Sequence, residues 1–130
     1  MSRLPIQRPV NIATDFNATV FENADINLFD LYVAAVQRGE GQIKGRTFRG
    51  CRLQGPAVLL VSAGVHFDDV NFGDAGDDAR NLVLRAAGRL ALGTLPVREC
   101  LFEGCEFYNV GFTGEDAFLD QIIGLGVEGA

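Results

Sequence analysis

Eight aromatic or aliphatic side chains recur along this chain in steps of five, a spacing that neither a helix nor a flat strand satisfies. In "VRECLFEGCEFYNVGFTG", Phe102, Phe107 and Phe112 are five apart, and each is preceded two residues earlier by Cys100, Cys105 or Val110. The same beat runs through Phe48, Leu53 and Val58, and again through Phe67 and Phe72. A helix repeats about every 3.6 residues and a strand about every 2. A period of five therefore describes a chain that turns a corner every few residues.

Suppose each pentad supplies one short strand and one corner. Alternation in the strand then sends the pentad centre and the residue two before it to the same side. Phe102 with Cys100, Phe107 with Cys105 and Phe112 with Val110 face inward, and Leu101, Glu106 and Gly111 face outward. Repeated corners wind the chain into a solenoid whose levels stack at about 4.8 Å. Sixteen Gly against four Pro supply the corners, and ten Phe with no Trp make Phe the main aromatic filler.

This arrangement resembles the pentapeptide-repeat proteins, whose repeat centres on Leu or Phe with Ala, Cys or Val two residues before. Cys51-Leu53, Val65-Phe67, Val70-Phe72, Cys100-Phe102, Cys105-Phe107 and Val110-Phe112 carry the likeness, over residues 46–58, 65–74 and 98–114. The Asn or Asp usual just before the centre is present only as Asn71, and the register breaks over 59–64 and 75–95. The resemblance implies an all-β fold, a right-handed parallel β-helix; the register breaks make it a short solenoid with irregular coils, and the pattern of the last residues adds a C-terminal capping α-helix. One domain spans residues 1–130.

Along the chain, residues 1–20 are weakly patterned and read as an arm or edge strand. Residues 24–38, "ADINLFDLYVAAVQR", suit a helix face or a strand, and the surrounding β pattern favours strand. Gly55-Pro56 is a turn signal before the buried strand "AVLLV", and "GDAGDDARN" is an acidic loop. The two apolar runs of "LVLRAAGRLALGTLPV", split by Gly88, read as a pair of strands or coil sides. In the last segment Phe118, Leu119, Ile122 and Ile123 sit at helical spacing. Thr113 with Asp116 resembles a capping box and Gly124 a stop, which gives a short amphipathic helix over 115–123 that covers the end of the stack.

The net charge of −6 argues against nonspecific nucleic-acid binding. Charge is segregated: residues 38–52 carry Arg38, Lys44, Arg46, Arg49 and Arg52 against Glu40, whereas 68–78 carry Asp68, Asp69, Asp74, Asp77 and Asp78 with no base. The longest apolar stretch, around "PAVLLVSAGV", falls far short of the roughly 20 residues of a membrane span. The N-terminus lacks a signal peptide's apolar core, so the expected location is cytoplasmic. Three Cys, an odd count without CxxC pairing, read as reduced, buried thiols rather than a disulfide or metal site. His66, the sole histidine, falls at an outward position, and "GDAGDD" lacks the spacing and closing Glu of a calcium loop. No catalytic constellation, phosphate loop or dinucleotide fingerprint is present, and neither a cofactor nor a metal is expected.

The functional expectation is a non-enzymatic scaffold that presents a rigid surface to a macromolecular partner. A homo-oligomer, with a dimer favoured, is expected through Leu59, Leu101 and Tyr108. An alternative is a small anionic ligand held at a subunit junction by Arg46, Arg49 or Arg52. The resemblance implies a third: some pentapeptide-repeat proteins are acidic dimeric rods that imitate DNA and bind DNA gyrase.

Overall fold

The computed structural model describes residues 5–73, 78–88 and 92–129, with side chains placed through Gly124. Among the described residues nine strands and two helices follow in chain order: β1 (Val20–Glu22), β2 (Asp25–Asn27), α1 (Leu28–Gln37), β3 (Ile43–Lys44), β4 (Thr47–Arg49), β5 (Arg52–Val61), β6 (His66–Asp68), β7 (Leu95–Arg98), β8 (Leu101–Glu103), β9 (Glu106–Gly114) and α2 (Asp116–Gly129). A 3-10 turn, Ala79–Leu82, precedes β7.

The five-residue beat is three residues of strand plus two of corner. The strands of one sheet lie in the order β1-β4-β8-β6, all parallel, and their register sets Phe21, Phe48, Phe102 and Phe67 side by side. Successive ring centroids are 5.3, 4.8 and 5.1 Å apart, with planes within 8°, 5° and 9° of parallel. Strand spacing in a sheet is close to a comfortable ring separation, so equal aromatic positions in register form a column. Each strand then breaks at a left-handed residue: Asn23 at φ 50°, Gly50 at 61°, Gly104 at 62° and Asp69 at 52°. Gly, Asn and Asp are the residues that enter this region at least cost. Beyond the corner the chain enters the second sheet, where β2, β5 and β9 pair in parallel and Ile26, Leu53 and Phe107 align.

The expected all-β, right-handed β-helix does not form. The architecture is α/β, with parallel sheets of four and five strands and two helices. A solenoid stacks each turn on the one just made. Here the chain passes from β4 through β5 to β6, yet β6 lies beyond β8, so one level is skipped. Residues 95–114 fill the gap, and Leu59–Val61 of β5 pairs with β7 on one side and β9 on the other. The pentad period is a local property and reports strand plus corner. It carries no record of which pentad lies on which.

The reading of 24–38 as strand is also corrected, since only Asp25–Asn27 is extended. Asn27 Oδ1 accepts hydrogen bonds from the amides of Phe29 (3.0 Å) and Asp30 (3.2 Å), capping α1, which buries Leu28, Leu31 and Ala35. The C-terminal helix is present but longer than expected: Gly124 lies inside α2, and no capping box forms. Thr113 belongs to β9, and its buried Oγ1 has no hydrogen-bond partner among the described residues. Phe118 of α2 closes the column, its ring 5.5 Å from that of Phe67 and 18° from parallel. Where a pair of strands or coil sides was expected over 82–97, the 3-10 turn, an isolated bridge at Val83 and β7 are found, with residues 89–91 outside the described residues.

Candidate functional site

The three arginines expected to line a pocket do not converge. Arg46 is buried, donates to the Lys44 carbonyl (2.9 Å) and lies 3.8 Å from Glu40. Arg49 is on the outer face of the four-stranded sheet, 3.6 Å from Glu103. Arg52, beyond the corner at Gly50, binds Asp25 with its Nε 2.6 Å from Oδ1 and its Nη2 3.1 Å from Oδ2. Each guanidinium is thus committed to a carboxylate of the same chain. Of the residues expected at an interface, Leu59 is fully buried and offers no surface, Leu101 is half-buried on the outer sheet face, and Tyr108 is 44% exposed.

Arg52 belongs to a polar cluster that sequence reasoning missed. Register places Asp25, Arg52 and Glu106 on adjacent strands, a row alternating in sign across the second sheet. The N-terminal arm lies over this row. Arg8 binds Asp25 through Nη2 (3.2 Å) and also donates to the carbonyls of Ala24 (3.0 Å) and Gly50 (3.2 Å). The amide of Asn11 reaches Asp25 Oδ2 at 2.7 Å, and Arg52 donates to the carbonyls of Arg8 (3.3 Å) and Pro9 (3.2 Å). Burial pushes Asp25 upward, but the hydrogen bonds from Arg52, the Asn11 amide and Arg8 outweigh it and hold the carboxyl at about 2.

Glu106, expected outward, is 1% exposed because the arm covers it. Its Oε2 accepts from the amide of Ile6 at 2.7 Å, and its Oε1 accepts from the hydroxyl of Tyr108. That bond, with burial, raises the phenol above its ordinary pKa. The cluster is closed and satisfied, save for the buried Nε of Arg8. Its chemistry is that of a clamp that ties the arm to the sheet. The alternating Asp25-Ile26, Arg52-Leu53 and Glu106-Phe107 pairs were the available signal, each charge standing just before an inward residue.

The outer face of the four-stranded sheet is different. One row of outward residues runs Val20, Thr47, Leu101, His66 and the next Glu22, Arg49, Glu103, Asp68. Val20, His66, Glu22, Arg49 and Asp68 are exposed, and Thr47, Leu101 and Glu103 half-buried. Helix α1 packs against β2, β3 and β5, and α2 against β9 and the 3-10 turn, so among the described residues no helix covers this face.

Cys51, Cys100 and Cys105 are buried and free. Cys51 and Cys105 donate to the carbonyls of Phe21 (3.4 Å) and Phe48 (3.3 Å). The hydrogen bond with Cys51 and burial both push the Cys105 thiol up, and burial does the same for Cys100. Of the acidic loop, Asp74 and Asp77 lie outside the described residues. Asp78 caps the 3-10 turn and binds Arg80 at 2.8 Å, which holds its carboxyl at about 2. Among the described residues no group of three His, Cys, Asp or Glu side chains is placed to hold a metal ion, and no helix is long and apolar enough to cross a membrane. Comparison with protein-family models, with curated proteins and with solved structures finds no match to this chain.

Proposed function

We propose that this chain is a non-enzymatic binding protein and that it meets another protein through the uncovered face of its four-stranded sheet. The observation that carries this reading is the missing cover. Parallel sheets ordinarily have helices on both faces. Here one face rests on the phenylalanine column, while the other presents a partly apolar row beside a charged row of three acids, Glu22, Glu103 and Asp68, and one base, Arg49. The column fixes the strands from below, so the surface is preorganised and loses little freedom on binding. The charged row supplies the specificity that apolar contact alone lacks.

A photoreactive phenylalanine analogue placed at position 47 or 101, with position 36 on the exposed side of α1 as reference, tests the reading. Cross-linking of one protein from both sheet positions, abolished by Arg49→Glu, is the expected result. Absence of any adduct, or equal labelling from position 36, overturns it. Light scattering behind a sizing column shows whether the captured protein is a second copy of this chain.

A further inference from the structure

We infer that residues 10–14 of the arm pair with the same segment of a second copy of this chain, antiparallel and about a two-fold axis at Ile12. The five-stranded sheets of two copies then join edge to edge. The arm already extends that sheet beyond β2. The Asn11 carbonyl accepts from the Asp25 amide at 2.7 Å, and the Ala13 amide donates to the Asp25 carbonyl at 3.0 Å, a parallel bridge between Ile12 and Asp25. Strand alternation therefore turns the amide and carbonyl of Ile12 to the outer edge. Neither has a hydrogen-bond partner there among the described residues.

That edge is open, held in place and unguarded. Ile12 is 70% and Val10 72% exposed. The clamp fixes the segment from its inner side: the Asn11 amide binds Asp25, its side-chain amide donates to the Asn23 carbonyl at 2.8 Å, and Arg52 donates to the Pro9 carbonyl. A strand fixed on one side loses little freedom when it pairs on the other. Edge strands are ordinarily guarded by a charge or a proline. Residues 10–14, "VNIAT", contain neither.

The order of residues selects a second copy as the occupant. In antiparallel pairing centred on Ile12, the two Ile12 residues exchange both backbone bonds, and Val10 of each chain lies opposite Thr14 of the other. These three side chains are β-branched and exposed, while Ala13, at the alternate position, packs on the core. β-Branched residues suit such cross-strand pairs. Asp15 falls opposite Pro9, so self-pairing sets no like charges against each other.

Sedimentation equilibrium of the full chain at about 100 µM is expected to show a dimer. Ile12→Pro removes the outward donor, and Ile12→Lys puts a charge on the axis. Each should weaken the dimer at least about tenfold while the circular dichroism spectrum stays that of the parent. Thr47→Lys, on the sheet face, leaves the dimer unchanged. Mild oxidation should join two Ile12→Cys chains, whose paired Cα atoms lie about 5.5 Å apart. Phe29→Cys, also exposed, should not be joined, and Val10→Cys should be joined only to Thr14→Cys. A monomer at that concentration, a dimer that Ile12→Lys leaves intact, or equal joining at positions 12 and 29 overturns the inference. The sheet-face reading stands or falls separately on its own cross-links, because Ile12→Lys leaves that face as it is.

Discussion

Phe67 and Phe102 stack with ring centroids 5.1 Å apart and planes 9° from parallel, although the chain runs through the 3-10 turn and β7 between them. That contact joins the two interleaved parts of the fold, and the central ring of the column is the place to measure its worth. Phe102→Ala should cost about 3–5 kcal/mol of unfolding free energy, as buried aromatic truncations do. Phe29→Ala on α1, where the ring is 58% exposed, should stay within about 0.5 kcal/mol. Urea titrations of both variants give the comparison, and similar losses in the two would contradict the column as the core.

Asp25 makes stability depend on acid. Its folded pKa of about 2 lies below the ordinary carboxyl value of 3.8, so its contribution is full above about pH 4 and is lost as pH falls through 2. The amount is about 1–2 kcal/mol for a carboxylate that keeps some contact with water. Asp25→Asn should lower stability at pH 7 and flatten the acid limb of the stability curve. Melting temperatures measured between pH 2 and pH 7 on both proteins decide it.

The corner at Gly50 has no room for a side chain as the neighbouring level stands. A Cβ on Gly50, at φ 61°, would stand 2.5 Å from Asn23 Oδ1 on the neighbouring level. Gly50→Ala is expected to destabilise by about 1–3 kcal/mol, part from the left-handed backbone and part from the clash. Asn23→Gly in the same chain should return the second part alone. A double-mutant cycle by chemical denaturation separates them, and strict additivity would remove the clash from the account.

The three thiols report on global opening. Each is buried, so a thiol-specific reagent at pH 8 should leave the native protein unmodified over hours. In denaturant all three should react at once. Fast native labelling at a single cysteine would show that its level opens by itself.

Much of the local structure was legible in the residues. The pentads located Phe48, Phe102 and Phe107 in the core, with Cys100 and Cys105 as small fillers, because strand alternation and corner length are short-range properties. The helical spacing of Phe118, Leu119 and Ile122 found α2, though helix propagation carried it past Gly124. The β-rich surroundings hid α1, whose capping Asn27 followed by Asp30 was a helix-start signal in plain view. Glu106 was misplaced because its burial depends on Ile6 and the arm, a contact far away in sequence. The order of the strands was out of reach for the same reason. Parallel pairing between distant segments leaves no periodic trace, so the α/β interleaving reads locally like a simple winding.

That interleaving has a consequence for how the molecule is made. On a ribosome β6 emerges well before β8, the strand it must lie against, so the nascent chain cannot finish its third aromatic layer while its middle is being synthesised. Until the last third has been released, the growing polypeptide holds Phe48 and Phe67 without the ring that separates them. Assembly therefore waits for the end of translation, and a chain stopped short of β8 is left with two exposed strand edges in search of a neighbour.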